Sequence, residues 1–156
     1  MSEIKIIDGT NYIDEVKNLI LEYTKFLRRD LTFQHIDDEL SDLKKKYSPP
    51  NGRIICAQVA EKIIGCVAYH KFDDERCEMK RLFVLEEYRK FHAGNKLIEA
   101  ILSAAKSDGY KEMLLDTITP LKSAIHLYKK FGFLETAPYY ENPMSDVVYM
   151  KKILSI

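Results

Sequence analysis

Cys77-Glu-Met-Lys-Arg-Leu-Phe-Val84, followed by Leu85-Glu-Glu-Tyr-Arg-Lys-Phe-His-Ala-Gly94 and then Asn95-Lys-Leu-Ile98, decides the fold. The first run reads as a strand and the second as a turn. The third opens an amphipathic helix that Leu97, Ile98, Ile101, Leu102 and Ala105 continue and Gly109 closes. A strand that turns directly into a helix leaves the first helical N–H groups without intrahelical partners, with the positive end of the helix dipole behind them. Such a place holds anions, phosphates above all. Arg89 and Lys90 add positive charge there, and Gly94 permits close backbone approach. Residues 75–98 are therefore a candidate anion cradle.

Outward from the cradle, Ile4-Lys-Ile-Ile7 reads as a short strand, and Ile13, Val16, Ile20, Tyr23 and Leu27 recur at helical spacing. Arg28-Arg-Asp30 interrupts the pattern. Ile36, Leu40, Leu43 and Tyr47 resume it in a second helix, which Pro49-Pro-Asn-Gly52 must end. Ile54-Ile-Cys-Ala-Gln-Val59 and Ile63-Ile-Gly-Cys-Val-Ala-Tyr69 read as a hairpin, and Phe72-Asp-Asp-Glu75 as the turn before the decisive strand. After the cradle helix come a buried strand, Met113-Leu-Leu-Asp-Thr-Ile118, and a helix carrying Leu121, Ala124, Ile125 and Tyr128. Thr119 and Pro120 read as the N-cap and first residue of that helix, and Gly132 as its stop. Phe133-Leu134 and Val147-Val-Tyr-Met150 are the last strands. This order predicts a single α/β (α+β) domain over residues 1–156, with a mixed, mostly antiparallel sheet of six or seven strands flanked by about four helices.

Composition bounds the function. The 156 residues are 46% hydrophobic, enough for one core and too few for two ordinary domains. Lys plus Arg and Asp plus Glu are equal at 24 each, which argues against a nucleic-acid partner. No apolar run approaches the length that crosses a bilayer, and no basic-then-apolar leader opens the chain, so the expectation is a cytoplasmic protein with no membrane partner. Cys56, Cys66 and Cys77 stand singly and read as buried small hydrophobes. Cys77 leaves a covalent thioester route open, with no partnering histidine near it in sequence. His35, His70, His92 and His126 lack metal-ligand spacing, so no metal is expected, and surface or packing roles suffice for His35, His70 and His126.

The turn Arg89-Lys-Phe-His-Ala-Gly94, the strand before it, and the later block Ala124-Ile-His-Leu-Tyr-Lys-Lys-Phe-Gly-Phe133 resemble the GCN5-related N-acetyltransferase (GNAT) superfamily over nearly the whole chain. The resemblance implies acetyl-CoA (coenzyme A) as cosubstrate. The family signature is Gln or Arg, two residues, Gly, one residue, then Gly or Ala. Arg89 and Gly94 match its ends and His92 stands at its first glycine. It implies pyrophosphate contacts from Arg89, Lys90, Phe91, His92, Ala93, Gly94 and Asn95, and pantetheine and thioester contacts from the backbones of Leu82, Phe83 and Val84. Asp116 and Thr117 line the same cleft or cap the turn after their strand. Leu121 stands where many members carry asparagine.

Tyr128 matches the tyrosine that protonates the departing thiolate in many members; a core tyrosine bonded to a carbonyl is the structural alternative. Glu78 matches the glutamate base of the histone-modifying members. A base role there calls for burial to raise its pKa, and pairing with Lys80 or Arg81, or a place in solvent near the turn, is the alternative. Strand alternation puts Glu78 with Lys80, Leu82 and Val84 on one face, and Cys77, Met79, Arg81 and Phe83 on the other. The implied activity is transfer of an acetyl group to a primary amine by direct attack in a ternary complex. Residues 28–35 and Tyr139-Tyr-Glu-Asn142 would wall the acceptor side; their mix of aromatic and charged groups favours a small-molecule amine over a protein. A CoA-binding module without catalysis is the rival, and a nucleotide-binding α/β enzyme is disfavoured because no Walker lysine follows a glycine. The oligomeric state stays open, a homodimer included.

Overall fold

In the computed structural model, which describes residues 3–27, 39, 41–49 and 51–154, the chain builds a seven-stranded sheet in the order β1-β2-β3-β4-β5-β7-β6. The strands are β1 (Ile4–Asp8), β2 (Gly52–Val59), β3 (Lys62–Lys71), β4 (Arg76–Val84), β5 (Glu112–Ile118), β6 (Leu134–Glu135) and β7 (Val147–Ile153). Helix α1 (Ile13–Leu27) and the single turn α2 (Leu43–Lys46) cover one face. Helices α3 (Ala93–Ser107) and α4 (Lys122–Lys130) cover the other. This is the expected α/β layer fold. Among the described residues, no helix is long and apolar enough to cross a membrane.

The layers follow from the apolar pattern. Strand β3 is buried on both faces, which is why Ile63 to Tyr69 reads as an unbroken apolar run. Val67 and Tyr69 meet Leu97, Ile98 and Ile101 of α3 on one side, while Cys66 and Ala68 meet Val16, Leu19 and Ile20 of α1 on the other. Helix α3 ends where Gly109 adopts φ +94°. There Asp108 accepts two hydrogen bonds from Arg53, at 2.8 and 2.6 Å, and one from the Tyr69 hydroxyl, pinning the helix end to the sheet.

Three local expectations are corrected. The second helix does not run unbroken, because Asp42 leaves helical geometry to accept the Lys45 N–H at 3.1 Å and restarts the chain as α2; Ile36, Leu40 and the loop 28–35 lie outside the described residues. Thr119 and Pro120 do not begin a helix. They form a turn in which Leu121 N–H bonds the Ile118 carbonyl, and α4 starts at Lys122 with no side-chain cap. The alternation along β4 also fails, because the strand carries an extra residue. Ala68 pairs with Lys80 but Cys66 pairs with Phe83, and Arg81 sits at φ +62°. Paired residues share a face, so Glu78, Lys80 and Phe83 lie with His70, Ala68 and Cys66 on the α1 side. Leu82 and Val84 join Cys77 and Met79 on the α3 side.

The bulge has a partner. Arg81 Nε and Nη2 donate to Glu39 Oε2 and Oε1 at 2.8 and 3.0 Å, and Lys46 adds a third contact at 2.9 Å. Both Arg81 and Glu39 are buried. Burial pushes the Glu39 carboxyl up, but the hydrogen bonds and charges of Arg81 and Lys46 outweigh it and hold the pKa at about 2. Below the bulge β4 and β5 pair in parallel only from Arg76↔Glu112 to Glu78↔Leu114; beyond that the strands diverge. The resulting V is where the site lies.

A folded pKa near 2 against an ordinary 4.5 means that the Glu39 contribution is complete above pH 4.5 and lost as pH falls toward 2. Glu39→Gln should lower unfolding free energy at pH 7 by about 3–5 kcal/mol, since it strands a buried guanidinium. It should also flatten the acid limb between pH 4.5 and 2 in urea titrations. Equal stability of the two proteins at pH 7 would show that the ion pair does not hold the bulge.

Candidate active site

The V between β4 and β5 opens into a cleft of about 580 Å³. Leu82, Phe83 and Val84 form one wall, Tyr23 and Phe26 of α1 a second, and the turn and first helical residues from Pro120 to Ala124, with Leu127 and Tyr128, a third. Arg89, Lys90 and Lys122 are the cations on its walls, and the N-termini of α3 and α4 both abut it. At its inner end lies a chamber of about 50 Å³, walled by Met79 to Leu82, Leu115 to Ile118 and Met144. Tyr23, Leu82, Leu121 and Tyr128 border both spaces, so the chamber continues the cleft.

In the turn, Arg89 Nε donates to the Val84 carbonyl at 2.9 Å, and its guanidinium lies 4.7 Å from the Phe26 ring centre and 5.3 Å from that of Phe83. Part of its bonding capacity therefore closes the turn. Lys90, Gly94 and Asn95 stand on the cleft wall, whereas Ala93 is buried in the core and the side chains of Phe91 and His92 lie off the wall. A side chain at Gly94 would meet Leu127 at 3.3 Å, so this glycine also lets α3 approach α4. His92 adopts φ 63° and ψ 26°, immediately before the first residue of α3. That left-handed conformation is the one a glycine adopts without cost, and histidine is among the residues that tolerate it.

Tyr128 is buried, and among the described residues its hydroxyl makes no hydrogen bond to a carbonyl or any other group. Burial, with the nearby Tyr23 and Asp116, raises its pKa well above that of a free phenol, so it stays protonated at neutral pH. Glu78 is buried behind the chamber wall, where Oε1 contacts His70 Nε2 at 2.8 Å and Oε2 accepts from the Tyr139 hydroxyl at 2.5 Å. Burial alone would raise its pKa, yet His70, Lys80 and Tyr139 together bring it down to about 2. The raised pKa expected for a base is not found, and the carboxylate stays ionised. Arg81 is not its partner, being engaged by Glu39. Cys77 is fully buried, its thiol reaching the Glu112 carbonyl at 3.7 Å, and burial pushes its pKa up to about 12. It is not a thiolate at neutral pH.

Four contributors were hidden. His70 had read as a surface or packing histidine, but the register of the β3–β4 hairpin sets it opposite Glu78; counting back from the turn at 72–75 finds the pair. Tyr23 had read only as part of the apolar stripe of α1, and Phe26 carried no periodic signal. Lys80 had been placed by alternation on the Glu78 face and offered as its partner, but nothing in the sequence marked it as the wall of a chamber. Asp116 lines the chamber and accepts from the Tyr140 hydroxyl, and Asn142 Nδ2 approaches the same oxygen at 3.4 Å. Among the described residues, no group of three or more His, Cys, Asp or Glu gathers as a metal site.

A family model described as the acetyltransferase (GNAT) family matches residues 14–133. The chain belongs to this family. It is 43% identical over 145 residues to an uncharacterised N-acetyltransferase of Schizosaccharomyces pombe, covering 92% of this chain and 89% of the relative. A GNAT-family acetyltransferase from Staphylococcus aureus has a TM-score of 0.82 at 24% identity, covering 98% of this chain and 100% of the other. A GNAT acetyltransferase from Elizabethkingia anophelis, solved with acetyl-CoA bound, has a TM-score of 0.66 at 23% identity, covering 96% and 97% of the two chains. The two structural likenesses show the shared fold. Membership of the GNAT family makes the protein an acyltransferase, and GNAT acetyltransferases use acetyl-CoA.

The residues present fit that cosubstrate. This GNAT domain has cations and two helix N-termini beside the cleft for phosphates, β4 backbone unpaired with β5 beyond Glu78, and a neutral phenol at the inner end. His92→Gly should raise unfolding free energy by about 1 kcal/mol by relieving the left-handed strain, read as an upward shift of Tm. A loss of stability would show that the histidine ring contributes contacts that a glycine cannot replace.

Proposed function

We propose that this GNAT domain moves an acetyl group from acetyl-CoA to the primary amine of a small molecule, by direct attack in a ternary complex. One observation carries the reading: an open, cation-flanked cleft and a polar chamber meet at Tyr128. Acetyl-CoA supplies the acetyl group as a thioester. Arg89, Lys90 and the amides of residues 91–95 hold its phosphates. The backbones of Leu82 and Val84 orient the pantetheine and stabilise the charge that develops on the carbonyl oxygen. The amine enters from the chamber; its nitrogen bonds the acetyl carbon as the carbon–sulfur bond breaks. As the amide forms the nitrogen releases its second proton to solvent, while Tyr128 gives its proton to the leaving sulfur and recovers one from solvent.

The amine must shed a proton before it attacks. Glu78 is ionised at neutral pH and stands behind Lys80, so it serves as base through an intervening water. The low pKa makes the carboxylate a strong anchor for cations and a weak direct base, which favours relay to solvent. A small acceptor suits a chamber of about 50 Å³ between two strands better than a protein segment, which needs an open groove. Three free, buried cysteines suit a reducing cytoplasm.

Tyr128→Phe keeps the ring packing against Phe133 and removes the proton. With acetyl-CoA and an amine panel, kcat should fall by about 100-fold, while the Kd for CoA from calorimetry changes little. An unchanged kcat would remove Tyr128 from the reaction. Micromolar CoA binding with no acetyl transfer to any amine would favour a binding module instead.

A further inference from the structure

Two charged groups in the chamber have incomplete hydrogen bonding. Lys80 lines it with a side chain only 10% exposed, and its ammonium makes no hydrogen bond among the described residues. Its ion pair with Glu78 is stretched to 3.9 Å, while Glu78 is already engaged by His70 and Tyr139 at 2.8 and 2.5 Å. Three ammonium donors are thus left without an oxygen in bonding range. Burial lowers the Lys80 pKa against the pull of Glu78 and Asp116, as an undersolvated cation requires.

Asp116, on β5 across the chamber, presents the complement. Tyr140 and Asn142 both approach Oδ2, so Oδ1 has no donor among the described residues. Among the described residues the ion pair of Lys80 is with Glu78, not Asp116. The chamber therefore separates a cation that lacks an acceptor from an anion with a spare oxygen. A volume of about 50 Å³ admits about three to five water-sized groups. That matches an amine, one carbon and a carboxylate.

Resting on the acetyltransferase reading, we propose that the acceptor is an α-amino acid or a close analogue: Lys80 takes its carboxylate, and Asp116 holds its amine beside Tyr128. A simple amine would leave the Lys80 ammonium unsatisfied. The bonds made and broken are those of the proposed reaction, and Lys80 takes no proton in it.

The test is acetylation of matched small pairs that suit a chamber of about 50 Å³, glycine with methylamine, alanine with ethylamine and serine with ethanolamine, followed by thiol release from acetyl-CoA. The native protein should favour the carboxylate-bearing member in kcat/KM by about 10- to 100-fold in at least one pair, the usual worth of a charge-assisted hydrogen bond. Lys80→Met should bring that ratio close to one, and Lys80→Arg should restore part of it. Because both members of a pair meet the same preparation, a lowered active fraction cancels in the ratio. Native ratios at or below one, with transfer to the amines intact, would overturn the assignment and leave the acetyltransferase reading standing. Equal slowing of both members by Lys80→Met would place Lys80 on the thioester carbonyl and likewise overturn it. No thiol release with any amine would sink the acetyltransferase reading, and this inference with it.

Discussion

The extra residue at Arg81 is the constraint on which the rest of the molecule turns. A regular β4 would keep its alternation, whereas here the faces reverse beyond Arg81, just after β4 has left β5 at Glu78. The bulge turns Arg81 into the α1 layer, where Glu39 receives it in a bidentate contact at 2.8 and 3.0 Å, and it puts Lys80 and Leu82 on opposite faces. Past Glu78 the two strands part. A buried ion pair is weak as a source of net stability, but losing one partner is costly, so the pair works as a lock on one backbone arrangement.

Charge in the opened space is arranged in pairs of unequal completeness. Glu39 is saturated by Arg81 and Lys46, and Glu78 by His70 and Tyr139. Both carboxyls sit at about 2, ionised under any physiological condition. Lys80 and Asp116 retain bonding capacity, and both line the chamber, as does Arg81, which Glu39 engages. Tyr139, Tyr140 and Tyr149 pack edge to face at 5.3–5.6 Å between ring centres. That cluster positions the Tyr139 and Tyr140 hydroxyls on Glu78 and Asp116. Rigid, water-poor surroundings of this kind make each fixed charge count for more than it would in solvent.

Much of the architecture was legible in the residues. Apolar runs at period two and at helical spacing located the strands and the helices α1, α3 and α4, and Gly109 and Gly132 marked helix ends through their positive φ of 94°. The strand-turn-helix around residues 75–98 located the cleft. The bulge was not legible, because an inserted residue leaves no mark on an apolar count and reverses the faces downstream of it. Lys80 lies before the bulge and its face was read correctly beside Glu78, but the chamber it lines is formed with β5 across the strand divergence, which the sequence does not mark. His92 was visible as an oddity in the glycine position, and its left-handed backbone shows how the turn keeps its shape with a side chain present. Glu78 was found by position, but its acidity depends on His70 and Tyr139, partners 8 and 61 residues away in sequence.

The most direct test is a crystal structure with a non-hydrolysable acetyl-CoA analogue. The account predicts the pantetheine arm between β4 and β5, its amides bonded to the backbones of Leu82 and Val84. The sulfur should lie within reach of the Tyr128 hydroxyl, and the pyrophosphate should rest at the start of α3. An analogue bound elsewhere, or a β4–β5 gap closed with Tyr128 turned into the core, would contradict it.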